Sequence, residues 1–189
     1  MECCEEGPEV SEGTKYMRIV FQRDSDMTHI QHGPLTPWGF CDANYAQDPH
    51  DCKSTSRYTF MLAGSPISWK SKKQSSVSLS TMEAEYYTLG ITCQEDTWLK
   101  LISQELLMSL NKPIHIYLDN TSAVALSNNP LFHNHSKHID IHWHSIRELI
   151  HSKIIGTSHI PRTQNGADFL TKVLSHSELD CCIKLLGME

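Results

Sequence analysis

The spacing of apolar residues divides the chain into a series of predicted elements. A short apolar run, YMRIVF, predicts a strand over residues 16–21. From Leu35 the pattern tightens. Residues 38–45 (WGFCDANY), 57–62 (RYTFML) and 66–70 (PISWK) predict three strands. The turn DPHDCKSTS separates the first two, and Ala63-Gly64-Ser65 hinges the last two. Short links between consecutive strands predict an antiparallel meander. Ser80 opens a helix in which Met82, Tyr86, Leu89 and Cys93 recur at helical spacing. Trp98, Leu101, Ile102, Leu106 and Leu107 extend the signal toward residue 111, and Pro113 ends it.

Beyond Pro113, Ile114, Ile116 and Leu118 alternate with His115 and Tyr117, which predicts a strand. A short helix over 122–127 stops at Asn128-Asn129-Pro130, and Ile139, Trp143, Ile146 and Ile150 mark an amphipathic helix. Residues 154–160 read as a fifth strand after the N-terminal segment. Helices over 166–174 and 177–186 close the chain. The order predicts an α/β fold, a five-stranded mixed sheet with flanking helices.

Composition narrows the function. The 189 residues are 39% apolar and 20% charged, enough for one hydrophobic core and too apolar for wholesale disorder. No apolar run approaches the ~20 residues of a membrane span, so no membrane partner is expected. Glu2, Glu5, Glu6, Glu9 and Glu12 make the start an acidic tail rather than a secretory signal. The net charge of −6 excludes a bulk basic footprint for nucleic acid, leaving only a local patch. Trp69, Lys70, Lys72 and Lys73 form the basic cluster with an aromatic beside it. It reads either as a solvated hairpin tip or as a phosphate contact. Seven cysteines without a CxxC read as reduced thiols. His133, His135, His138, His142, His144 and His151 crowd one segment. His138 and His142 stand i, i+4, but no Glu lies between them and no third ligand is evident, so no zinc is predicted.

The carboxylates are more informative. Asp42 lies in an apolar strand, where an acid is costly to bury alone, and reads either as a strand-end turn residue or as a site acid. Ser80-Thr81-Met82-Glu83 fits a capping box, which gives Glu83 a structural task and leaves Glu85 unexplained. Asp119 follows the strand 114–118, where it or Asn120 can cap the next helix. Asp168 falls early in the predicted helix 166–174, a favourable place for an acid. Each alone is weak evidence. As a set they predict a cluster whose mutual repulsion calls for hard divalent cations, Mg²⁺ or Mn²⁺.

The segments GFCDANYAQDPHDCKSTSRYTFMLAGSPISWKSKKQSSVSLSTMEAEYYTLG, IYLDNTSAVALSNNP, FHNHSKHIDIHWHSIREL and GADFLTK closely resemble the ribonuclease H (RNase H) domain of Ty1/copia-type retrotransposon Pol polyproteins. The resemblance runs from about Gly39 to Leu174. It implies an RNase H-like fold and two-metal-ion hydrolysis of the RNA strand of RNA–DNA hybrids during reverse transcription. The implied site is a D-E-D-D set holding two Mg²⁺, with Mn²⁺ as a substitute. Carried over by motif, it is Asp42, Glu85, Asp119 and Asp168, both catalytic and metal-binding. Arg57 stands where the pattern KSTSGY has Gly, the usual DADW or DANW start reads Asp42-Ala43-Asn44-Tyr45, and Val173 replaces a frequent Pro. No general-base His is assigned: the family's position falls near Thr163, and His159 belongs to the fifth strand.

The implied partners are the hybrid and a reverse transcriptase domain, absent from this chain. The implied location is intracellular: cytoplasmic virus-like particles with possible nuclear access. The expected organisation is an acidic tail and a linker or strand remnant of the Pol connection over 1–34, the RNase H-like domain over 35–175 and a C-terminal helix over 176–189. Gly13-Thr14 resemble the end of that linker. The chain then reads as a fragment of a Pol protein or a decayed or repurposed copy. The competing readings are a non-catalytic module that binds nucleic acid or a protein, and an integrase or transposase. The latter resemble a D-D-E order, not D-E-D-D.

Overall fold

The computed structural model describes residues 17–21, 36–106, 113–128, 140–171 and 176–188. Strands β1 (Trp38–Asn44), β2 (Thr55–Leu62) and β3 (Ser65–Lys73) form the expected meander. Helix α1 (Thr81–Glu105), strand β4 (Ile114–Leu118), helices α2 (Thr121–Asn128) and α3 (Asp140–His151), strand β5 (Ile155–His159) and helix α4 (His176–Leu185) follow. The sheet has the order β3-β2-β1-β4-β5. Its first three strands are antiparallel, while β4 joins β1, and β5 joins β4, in parallel. The chain crosses from edge strand β3 through α1 to the far side of β1. This leaves β1 central, with the C-terminal ends of β1 and β4 side by side at one end of the sheet.

Each sheet face buries its own core. Cys41, Tyr58, Phe60, Ile114, Ile116, Leu118 and Ile155 pack with Tyr86, Leu89 and Cys93 of α1 and with Ala123, Leu126 and Ile146 of α2 and α3. Trp38, Phe40 and Met61 alternate to the other face and pack with Ile160, Ala167, Cys182 and Leu186. The C-terminal helix is thus docked on the same body as the sheet. Two expectations need correction. Of the predicted strand 16–21, the described residues 17–21 supply one antiparallel bridge, Ile19 to Met188. The apolar stripe of α1 is not buried to its end: Trp98, Leu101 and Leu106 are exposed, while Leu99 and Ser103 face inward. Residues 107–112, into which the helix was expected to run, lie outside the described residues.

The start of α1 is fixed by the expected reciprocal cap. The Glu83 N–H donates to Ser80 Oγ at 3.1 Å, and a Glu83 carboxylate oxygen accepts from the Leu79 N–H at 2.8 Å, one residue before the cap. Gln74 clamps the same turn to the sheet, its Nε2 donating to Ser56 Oγ at 2.9 Å and to the Ala84 carbonyl at 3.0 Å. Together these bonds set the axial position of Glu85. Glu83→Ala is expected to lower stability by ~0.5–2 kcal/mol in urea unfolding, with Glu85-dependent chemistry retained. Loss of chemistry in E83A with unchanged stability would invert the two roles.

Candidate metal centre

The topology brings three of the four predicted acids together. Asp42 lies near the end of β1, and Asp119 follows the last residue of its parallel neighbour β4. Glu85 projects from the clamped first turns of α1. Each offers an oxygen within 4.8 Å of those of the other two. They line a cleft of about 440 Å³ with Asn44, Thr81, Asn120 and Arg162 among its walls. Asn120 performs the capping that Asp119 could have done: its Oδ1 accepts from the Ala123 N–H at 3.1 Å.

The electrostatics are those of crowded acids. Glu85 is 5% exposed, and its carboxyl is pushed up to about 9, first by burial and then by the charges of Asp42 and Asp119. The Ala43 N–H and Arg57 oppose that rise. One Glu85 oxygen has no hydrogen-bond partner among the described residues. Asp119 is also raised, chiefly by burial, with Arg162 opposing and Asp168 adding. A buried, unpartnered oxygen converging with two further carboxylates is a donor set that fits one hard divalent cation.

Asp168 is placed differently. Where a helix is predicted over 166–174, it heads a short 3-10 turn, Asp168–Thr171; residues 172–174 lie outside the described residues. Asn165 fixes the turn. Its Nδ2 donates to the Cys41 carbonyl at 3.0 Å, and its Oδ1 accepts from the Ala167 N–H at 3.1 Å, which leaves no room for continuous helical pairing. Gly166 permits the close approach, since a Cβ there would lie 2.8 Å from the Phe40 ring. The Asp168 carboxylate reaches Asp42 through an intermediary. Arg57 Nη1 donates to Asp42 Oδ2 at 2.9 Å, to the Asp168 carbonyl at 3.0 Å and to Asp168 Oδ1 at 3.4 Å. Arg162 donates to both Asp168 oxygens, from Nε to Oδ2 at 3.3 Å and from Nη2 to Oδ1 at 3.4 Å. Neither arginine was assigned a role from the sequence. The signal for Arg57 was its departure from the glycine of the family pattern.

The basic cluster divides along the strand. Trp69 shares a groove with Thr59, Pro66, Leu170, Leu186 and Met188 on the α4 face. Lys70 turns to the other face, in a groove with Tyr58, Gln94, Glu95 and Trp98, and Lys72 alternates to that side. Lys73 is engaged by Asp48 and by Asp51 at 2.9 Å. The aromatics beside Lys70 are therefore Tyr58, its register partner, and Trp98 of α1, rather than Trp69. His133, His135 and His138, and the side chains of His142 and His144, lie outside the described residues. Among the described residues, no helix is long and apolar enough to cross a membrane.

No protein-family model matches the chain. Solved structures do. LC11 RNase H1 in complex with an RNA/DNA hybrid superposes with a TM-score of 0.53 at 13% identity, covering 71% of this chain and 93% of that one. The N-terminal RNase H domain of rv2228c from Mycobacterium tuberculosis gives 0.54 at 12% identity, covering 79% and 97%. The foamy viral protease–reverse transcriptase, in complex with an RNA/DNA hybrid, gives 0.51 at 14% identity, covering 75% and 20%. The fold is that of RNase H.

In sequence, the chain is 41% identical over 151 residues, 80% of its length, to the retrovirus-related Pol polyprotein from transposon TNT 1-94 of Nicotiana tabacum. It is 41% identical over 154 residues, 82% of its length, to that from transposon RE1 of Arabidopsis thaliana. The chain is thus a homologue of copia-type transposon Pol polyproteins. It spans 11% and 10% of the length of those two relatives.

The raised Glu85 carboxyl fixes the sign of a pH effect. Folding favours its neutral form, so its contribution to stability is full below its ordinary value of 4.5 and is lost as pH rises through about 9. In EDTA, the melting temperature should fall across that window, and E85Q should flatten the decline. Asp96, pushed up to about 7 by burial, acts in the same direction, so the difference between wild type and E85Q isolates Glu85. An identical decline in both proteins would refute the assignment.

Proposed function

We propose that this chain hydrolyses the RNA strand of RNA–DNA hybrids in a divalent-cation-dependent reaction, as the RNase H activity of a reverse-transcribing Pol protein. One observation carries the reading: the oxygens of Asp42, Glu85 and Asp119 lie within 4.8 Å of one another, and a buried Glu85 oxygen has no partner among the described residues. Asp42, Glu85 and Asp119 would hold the cation, Mg²⁺ or Mn²⁺. When bound, it would supply Lewis-acid polarisation of phosphoryl oxygen and a more acidic water. Exposed Arg162, on the wall of the cleft, is placed to attract the scissile phosphate. Asp168 joins the set through Arg57 and Arg162, orienting both guanidinium groups. Lys70 and Lys72 would track the backbone of the duplex, and the RNA 2′-OH and A-form shape would provide selectivity.

The hybrid is the proposed substrate. A reverse transcriptase domain is the proposed partner that would hold it, since a chain of charge −6 repels a polyanion and a tether raises the effective concentration. The setting would be that of reverse transcription, in cytoplasmic virus-like particles with access to the nucleus.

The test is cleavage of a labelled RNA–DNA hybrid with Mg²⁺ or Mn²⁺, using the chain fused to a hybrid-binding module. Cleavage should occur, and D42N, E85Q and D119N should each lose more than the ~10–100-fold typical of groups that only support metal ligands. Absence of cleavage with both cations would favour the non-catalytic reading.

A second expectation concerns binding. K70A and K72A should each weaken hybrid binding and reduce its salt slope by about 1, while K73A, already held by Asp48 and Asp51, should change little. Salt-insensitive binding by the wild-type chain would contradict the lysine contacts.

A further inference from the structure

The register of the central strands sets Arg57 of β2 directly opposite Asp42 of β1. Both side chains therefore leave the sheet on the same face, and the turn carrying Asp168 lies over it. The Arg57 side chain is fully buried, with no solvent-exposed area into which it could swing. Its Nη1 touches Asp42 Oδ2 at 2.9 Å and Asp168 Oδ1 at 3.4 Å, the two carboxylates that would have to share an ion on that side of Asp42. A Mg²⁺ bridging them needs both oxygens at ~2.0–2.1 Å. That space is taken by the guanidinium. Arg57 Nε and Nη2 are buried and have no hydrogen-bond partner among the described residues, an arrangement that packing alone disfavours.

Charge gives the same count. Asp42, Glu85, Asp119 and Asp168 carry four negative charges when ionised. Arg57, paired with Asp42 and Asp168, and Arg162, paired with Asp168, return two. The remainder equals the charge of one divalent cation, and the Asp42–Glu85–Asp119 group, which Arg57 Nη1 enters only through Asp42, offers one place for it.

We propose that Arg57 is a tethered cation standing in the second metal position, so that this chain binds a single divalent ion, at Asp42, Glu85 and Asp119. This rests on the acid cleft being a cation site. The substitution of Arg for the family's Gly then changes the metal stoichiometry, not merely the packing of β2. A Gly at this position would leave Asp42 and Asp168 facing each other without a bridge, the situation a second divalent ion relieves.

The test counts Mn²⁺ bound per chain by electron paramagnetic resonance and isothermal titration, on the full 189-residue chain without nucleic acid. The wild type is expected to bind one ion and R57G two. Addition of Mg²⁺ should raise the melting temperature of R57G more than that of the wild type. R57K, which keeps the charge, should bind one. Two ions of comparable affinity in the wild type would overturn the proposal while leaving the cleft a cation site. No ion in the wild type would overturn both. The wild-type count decides even where R57G fails to fold in EDTA. If R57G does fold there and still takes up one ion, the proposal is also overturned.

Discussion

Repulsion among carboxylates at one end of the sheet is the constraint around which this structure is arranged. At separations under 5 Å, two full charges interact by ~4 kcal/mol at an effective dielectric near 20, so several ionised acids cannot coexist there uncompensated. The fold answers that repulsion in two ways. On one side of Asp42 it inserts Arg57, a fixed positive charge from the adjacent strand. On the other side it leaves Glu85 largely neutral, its carboxyl pushed up to about 9, with an oxygen that has no partner among the described residues. The first is a compensation completed within the chain. The second is one that a hard cation can complete from outside.

Much of the surrounding structure holds these acids in place against their mutual repulsion. The parallel pairing of β1 with β4 sets Asp42 and Asp119 at one end of the sheet, and the cap at Ser80 and the Gln74 clamp fix the first turns of α1 below Glu85. Asn165 ties the Asp168 turn to the Cys41 carbonyl, one residue before Asp42. The Gln74 and Asn165 bonds are buried hydrogen bonds to backbone carbonyls, stronger in a low local dielectric than contacts between exposed side chains. The polar residues Gln74 and Asn165, given no role in the sequence reading, are therefore supports of the site.

The fold was legible because its apolar alternation is strong. Ile114, Ile116 and Leu118 face one core, Trp38 and Phe40 the other, and the helical spacing of Tyr86, Leu89 and Cys93 matches a fully buried stripe. The capping role of Glu83 was also legible, since a capping box has a fixed spacing, whereas the place of Glu85 in the site came from the family resemblance. What was not legible depends on contacts distant in sequence. The 166–174 segment has helical composition, but its described part forms a 3-10 turn over Asp168–Thr171, next to the Asn165 bonds and the close Gly166–Phe40 approach. Trp98, Leu101 and Leu106 continue an apolar pattern that finds no facing layer among the described residues. The cluster Trp69, Lys70, Lys72, Lys73 looks contiguous in sequence, yet strand alternation sends its members to opposite faces. Arg57 was visible only as a departure from a pattern, because nothing local reveals that its register partner is Asp42.

The central claim is that the chain's own charges leave one place for a divalent ion, bounded by Asp42, Glu85 and Asp119. Anomalous diffraction at the manganese edge, from crystals of the chain soaked in Mn²⁺, tests it most directly. The account predicts one anomalous peak, touching oxygens of those three residues, with Arg57 still between Asp42 and Asp168. A peak between Asp42 and Asp168 with Arg57 displaced, or no peak at the three acids, would contradict it.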